Sequence, residues 1–145
     1  MTTGTQNEIV AGVSVSHSGA TVEQIEAVVA DSEREAVESL LGRPDVLEAF
    51  VLQTCNRAEA YVVSETAASA REALSTYVDG VDPDAVRELD HEESFRHLMS
   101  VACGLESLVL GEDQIIGQLR EAYESAREVG AIGPTLDDAI LKAVH

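Results

Sequence analysis

At 145 residues the chain has the length of one domain, long enough to bury a core but short for a cofactor domain plus a substrate domain. Its 27 acidic residues against 9 Lys and Arg give a formal charge of -18, yet 45% of the residues are apolar, which excludes a disordered acidic tail and leaves a folded body with a solvated acidic surface. Salt adaptation is the simplest explanation, because multimolar salt shrinks the Debye length below about 3 Å and screens the self-repulsion; an ordinary acidic mesophile protein is the alternative.

Composition also offers no basic patch for nucleic acid. Cys55 and Cys103 lie far apart without C-x-x-C or zinc spacing, so neither a disulfide framework nor a structural metal is expected. No apolar run reaches the roughly 20 residues of a membrane span, and a reducing cytoplasm fits.

Residues 9–15 read as a strand with Ile9, Ala11, Val13 and Val15 on one face, ending at a Ser16-His17-Ser18-Gly19 turn. Thr21 with Gln24, then Ser32 with Glu35, have capping-box spacing and open two helices, the second stopped by Gly42 and Pro44. Residues 46–53 are apolar at nearly every position, as for an inner strand, and 58–64 form a second strand paired with it across the Cys55 turn. A helix over 64–77 follows, stopped at Asp79-Gly80, and 85–89 read as an edge strand. This order predicts an α+β fold of the ferredoxin-like type over residues 1–90, an antiparallel sheet with helices on one face.

From Asp90 the pattern is helical, as a C-terminal extension over 91–145. Asp90 with Glu93 repeats the capping box, and Phe95, Leu98, Met99 and Ala102 form the predicted core stripe. His97 falls nearly opposite, on a face with Ser94 and Val101, directed either to solvent or into a cleft. Residues 105–129 are periodic but contain Gly111 and Gly117, each costing about 1 kcal/mol in a helix interior. If that helix is continuous, Ser107, Gly111, Gln114 and Gln118 form one narrow polar stripe where glycine admits close approach. A last helix spans 135–145 and stops in mid-pattern, as in a piece of a longer protein.

Cys55 draws attention because an apolar run stops at a thiol flanked by Thr54, Asn56 and Arg57. The thiolate is the nucleophile, and an ordinary thiol with a pKa of about 8.5 needs help to ionise at neutral pH. The competing reading is a small buried residue at a strand end.

Three segments together carry a family resemblance. Residues 54–61, Thr-Cys-Asn-Arg-Ala-Glu-Ala-Tyr, resemble the active-site motif of the glutamyl-tRNA reductases; residues 97–118, from His97 through Gly104-Leu105-Glu106-Ser107 and Gly111-Glu112-Asp113-Gln114 to Gln118, resemble their longer signature; and residues 16–20 are similar to their N-terminal turn. The chain differs at Thr21, where the family usually has proline, at Glu106, where aspartate is usual, and at Cys103, in place of a small residue.

The resemblance implies that Cys55 attacks the ester of glutamyl-tRNA to give a thioester, which NADPH reduces to glutamate-1-semialdehyde in the first step of five-carbon tetrapyrrole synthesis. It implies Cys55 and His97 as catalytic, and Thr54, Asn56, Arg57, Ser107, Glu112, Gln114 and Gln118 as substrate-binding, with Arg57 clamping the side-chain carboxylate. It further implies a homodimeric full-length protein and handover to glutamate-1-semialdehyde aminomutase. No G-x-G-x-x-G after a strand occurs, so the NADPH-binding domain is expected elsewhere, and the resemblance implies a dimerisation domain that is likewise expected elsewhere. A non-catalytic tRNA- or protein-binding module of the same fold, and a cysteine hydrolase acting on another ester, are the rival readings.

Overall fold

The computed structural model describes residues 8–17, 19–29, 32–102 and 115–144, with backbone alone for 143 and 144. Four strands, β1 (Ile9–Ser16), β2 (Val46–Gln53), β3 (Arg57–Ser64) and β4 (Arg87–Leu89), form one sheet in the order β2-β3-β1-β4. Every pair is antiparallel. Helices α1 (Val22–Val28) and α2 (Glu33–Leu41) join β1 to β2; α3 (Ala67–Tyr77) joins β3 to β4; α4 (His91–Ala102), α5 (Ile115–Glu128) and α6 (Pro134–Val144) follow.

The helix starts obey local chemistry. Thr21 and Ser32 each accept from the backbone N–H three residues on while Gln24 and Glu35 reach back, so both predicted boxes form. Asp90 and Glu93 do the same at 2.9 and 3.0 Å. Two boundaries move. The third helix begins at Ala67 with Thr66 as its cap, Ser64 belonging to β3. The edge strand shortens to three residues because Pro83–Ala85 winds into a 3-10 turn capped by Asp82.

Strand alternation divides the core. Val15 pairs with Ala58 and packs on Ile25 and Val28 of α1, while the Gln53 side chain, on the same face, donates to the Tyr77 hydroxyl of α3. Arg57 and Glu59 therefore point to the opposite face, where Glu59 meets His97 of α4. All 8 residues of β3 are buried, so helices cover the sheet on both faces. No helix among the described residues is long and apolar enough to cross a membrane.

This second face changes the reading of α4. The expected stripe of Phe95, Leu98, Met99 and Ala102 is rotated: Ser94, His97, Leu98, Val101 and Ala102 are buried, Phe95 is half-buried and Met99 is 46% exposed. Hydropathy alone turns serine and histidine outward, whereas here Ser94 Oγ donates to the Asp90 carbonyl at 2.7 Å and His97 meets Glu59 on the sheet. Glu48 of β2 plays a related part for α6. Its buried carboxylate accepts from the backbone N–H of Gly133 at 2.9 Å, Leu136 at 2.8 Å and Thr135 at 3.3 Å, capping the helix from a distant strand.

Candidate active site

The C-terminal ends of β1 and β2 and the N-terminal ends of β3 and β4 share one end of the sheet, fixed by the registers Ser16↔Arg57, Gln53↔Ala58 and Ser14↔Arg87. The Cys55 turn lies there. Thr54 N–H donates to the Arg57 carbonyl at 2.9 Å, and Asn56 N–H donates to Thr54 Oγ1 at 3.1 Å, so both flanking residues tighten the loop. His17, just past β1, donates its backbone N–H to the Asn56 carbonyl at 3.0 Å, and its Nδ1 stands 3.4 Å from the same oxygen. Cys55 is exposed between half-buried Thr54 and Asn56. The reading of Cys55 as a small buried strand-end residue does not hold. A thiol on a short loop between two paired strands has a rigid mount and open access, as a loop nucleophile needs.

Behind the turn, on the α4 face, lies a buried polar network centred on Glu59. Its Oε2 accepts from Ser14 Oγ at 2.7 Å, from His97 Nε2 at 2.7 Å and from Arg57 Nη1 at 3.2 Å; its Oε1 accepts from the Tyr61 hydroxyl at 2.7 Å. Burial alone would raise the Glu59 carboxyl, but the His97 hydrogen bond and charge, with Arg57 and Tyr61, outweigh it and hold the group below the usual 4.5. Burial first, then the Glu59 charge, push the Tyr61 phenol well above its ordinary value, so it remains a donor. Gly12 makes room for this arrangement, since a Cβ there would fall 2.7 Å from Tyr61 Cδ1.

The predicted residues are thus distributed as follows. Thr54, Cys55, Asn56 and Arg57 share the turn, and Arg57 and His97 meet through Glu59. Arg57 is 1% exposed, its guanidinium paired with Glu59, so a carboxylate clamp would act from within the network. His97 is 4% exposed, which excludes the solvent reading; the ring is buried against Glu59 of the sheet. Gln118 is half-buried on the first turn of α5, and no hydrogen bond among the described residues joins it to the turn. Ser107, Glu112 and Gln114, with Gly111 and the helix continuity expected there, lie outside the described residues. Gly117 meets open space and serves no close approach among them.

Sequence reasoning passed over Glu59, Ser14, Tyr61 and Arg87. A signal existed for two of them: Arg57, Glu59 and Tyr61 stand at i, i+2 and i+4 of an inner strand, which places them on one face, and charged groups on a buried face must pair.

The family model described as glutamyl-tRNAGlu reductase, N-terminal domain, matches residues 13–145. The chain belongs to the glutamyl-tRNA reductase family. It is 61% identical over 137 residues to a glutamyl-tRNA reductase of Natronomonas pharaonis and 58% identical over 136 residues to one of Haloarcula marismortui, in each case across 94% of this chain and 30% of the relative. Among solved structures, the glutamyl-tRNA reductase from Methanopyrus kandleri superposes with a TM-score of 0.81 at 30% identity, over 93% of this chain and 32% of that one. The chain therefore spans about a third of the length of the reductases it matches.

Glutamyl-tRNA reductases use NADPH, but the described residues do not fit a dinucleotide. Every strand pair is antiparallel, so the crevice at the carboxyl ends of parallel strands, where a glycine loop and helix N-terminus would take the pyrophosphate, is not built here.

Proposed function

We propose that this chain performs the acyl-transfer half of glutamyl-tRNA reduction. The Cys55 thiolate attacks the carbonyl carbon of the aminoacyl ester, a carbon–sulfur bond forms, the ester carbon–oxygen bond breaks, and the tRNA 3′-terminal oxygen leaves and takes up a proton. The observation that carries this reading is an exposed thiol on a hydrogen-bonded hairpin turn, at the sheet end where Arg57, Glu59 and His97 are coupled, in a chain of this family. Thr54, Asn56 and Arg57, with Ser107, Glu112, Gln114 and Gln118, are the proposed substrate-holding groups, and Arg57 selects the side-chain carboxylate through a charge-assisted pair.

Reduction of the thioester to glutamate-1-semialdehyde, the entry to tetrapyrrole synthesis, needs hydride from NADPH held outside the described residues. The strand order β2-β3-β1-β4 supports reading residues 1–90 as a ferredoxin-like core and 91–145 as a helical extension over its second face. On the family resemblance we also infer a cytoplasmic, homodimeric full-length reductase that passes its aldehyde to the aminomutase.

The test is to expose the full-length protein to glutamyl-tRNA at high salt, quench in acid and look for a glutamyl mass increment on the Cys55 peptide. Cys55→Ser is expected to abolish the increment while leaving the unfolding free energy within about 0.5 kcal/mol, as for an exposed side chain. An unlabelled Cys55 with tRNA still bound would sink the catalytic reading in favour of a binding module.

A further inference from the structure

Gln53, the last residue of β2, is held from two helices by bonds that the sheet does not supply. β2 stands first in the order β2-β3-β1-β4, so the N–H groups on its side away from β3 have no strand partner. Ala49 N–H donates to the Ala131 carbonyl at 3.0 Å, and Gln53 N–H, four residues on and on the same side, donates to Glu33 Oε2 of α2 at 2.8 Å. The Gln53 side chain donates to the Tyr77 hydroxyl of α3 at 3.0 Å. The turn that carries Cys55 starts at the next residue, where Thr54 N–H closes it on the Arg57 carbonyl.

Glu33 is more than an acid in the first turn of a helix. The reciprocal cap of α2 belongs to Ser32 and Glu35, which leaves the half-buried Glu33 carboxylate for the strand. Burial raises that carboxyl above its ordinary 4.5, the Gln53 N–H offsets part of the rise, and the charge of Glu121 on α5 adds to it. An acid serving only the α2 dipole would stay in water and avoid both penalties.

We propose that Glu33 is a positioning residue for acylation: by holding the Gln53 N–H from α2, while Tyr77 holds the side chain from α3, it fixes the strand end on which the Cys55 turn is mounted and so the approach of the thiolate to the ester carbonyl. Its effect on rate rests on the acyl-transfer reading; the hold on Gln53 does not. Attack on a bound ester is spoiled by a small displacement of the sulfur, whereas a small diffusing electrophile reaches an exposed thiol from many directions.

The full-length protein in molar potassium chloride, where the Glu33 charge is screened from the exposed thiol, tests both parts. Hydrogen exchange at the Gln53 amide, read on the peptide spanning the turn, is expected to quicken in Glu33→Ala and to stay near the parent in Glu33→Gln, whose amide oxygen still accepts. An amide that exchanges no faster in Glu33→Ala overturns the hold. Single-turnover acylation of Cys55 at saturating glutamyl-tRNA is expected to slow about tenfold in Glu33→Ala and less than about threefold in Glu33→Gln, with the half-saturating concentration unmoved, because a misplaced nucleophile loses rate rather than binding. Alkylation of Cys55 by iodoacetamide is expected to stay within about twofold of the parent in both variants, since it reads the thiolate and not its aim. Equal slowing in the two variants, or alkylation that changes in step with acylation, overturns the positioning role. Tyr77→Phe keeps the ring in the core and removes the other hold, so it decides the case if Glu33→Ala does not fold: slower acylation with unchanged alkylation supports the clamp, and unchanged acylation overturns it. A parent that never acylates defeats the acyl-transfer reading instead, while exchange of the Gln53 amide still decides the hold.

Discussion

Replacing Glu59 by glutamine tests whether the buried network is held together by charge. The amide keeps the volume and one acceptor oxygen, which can serve Ser14, His97 and Arg57, while its NH2 turns to the Tyr61 hydroxyl. What disappears is the charge that Glu59 sets 3.2 Å from the Arg57 guanidinium, whose side chain is 1% exposed. Breaking a buried pair while leaving one charge behind costs about 3–5 kcal/mol, a large share of the roughly 5–15 kcal/mol that holds a domain folded. For a domain of this size the midpoint should fall by roughly 10 °C. Urea unfolding in molar potassium chloride measures it without altering ionic strength. The double variant Arg57→Met with Glu59→Gln should recover at least half of the loss, since both members of the pair are then removed. The pH dependence has a definite sign: the native Glu59 carboxyl is held below the 4.5 it has when unfolded, so its stabilisation is complete above about pH 4.5 and lost as pH falls through the lower native value. Glu59→Gln should remove that acid limb. A loss under about 1 kcal/mol, or an unchanged acid limb, would refute the charge argument.

Two further substitutions probe the supports of the site. Gly12→Ala places a methyl 2.7 Å from Tyr61 Cδ1 and 3.2 Å from the Ala60 carbonyl, so one side must shift; we expect about 1–3 kcal/mol of destabilisation by urea titration and a weakened Tyr61–Glu59 hydrogen bond. Glu48→Ala strips the carboxylate from three backbone donors at the start of α6, with an expected cost of about 2–4 kcal/mol and faster hydrogen exchange at Gly133, Thr135 and Leu136 than elsewhere in that helix.

The parts of the fold legible in the sequence are those set by neighbours in the chain. Thr21/Gln24, Ser32/Glu35 and Asp90/Glu93 are each separated by three residues, and each forms the reciprocal cap that spacing predicts. The β2–β3 hairpin was equally legible, because an apolar inner strand broken at 54–56 has few ways to continue. Less legible was anything settled by partners distant in sequence. Glu59 and His97 are 38 residues apart, and Glu48 and Leu136 are 88 apart. Each of these polar side chains looks outward to a hydropathy scale, yet each is buried because a donor or acceptor from elsewhere in the chain meets it. The rotated face of α4 is the same effect on a whole helix. The Cys55 turn itself was readable from its motif, whereas the network that braces it was not.

Charge bears on the site more locally than the total of -18 implies. Arg34, Arg43, Arg96, Arg127 and Lys142 each lie within 3.1–3.6 Å of a surface carboxylate, and so add little cationic field of their own. Arg57, paired with Glu59 but buried, and Arg87 sit on the α4 face at the end of the sheet that carries Cys55. The named relatives come from halophilic archaea, and at the salt such proteins work in, charges more than about 3 Å beyond contact are screened. Repulsion between a polyanionic tRNA and the acidic surface is then confined to groups that touch. On the proposed function, the acceptor end and its glutamyl carboxylate meet the end of the sheet that carries Cys55, Arg57 and Arg87, so a strongly acidic chain can still take an anionic substrate at that end.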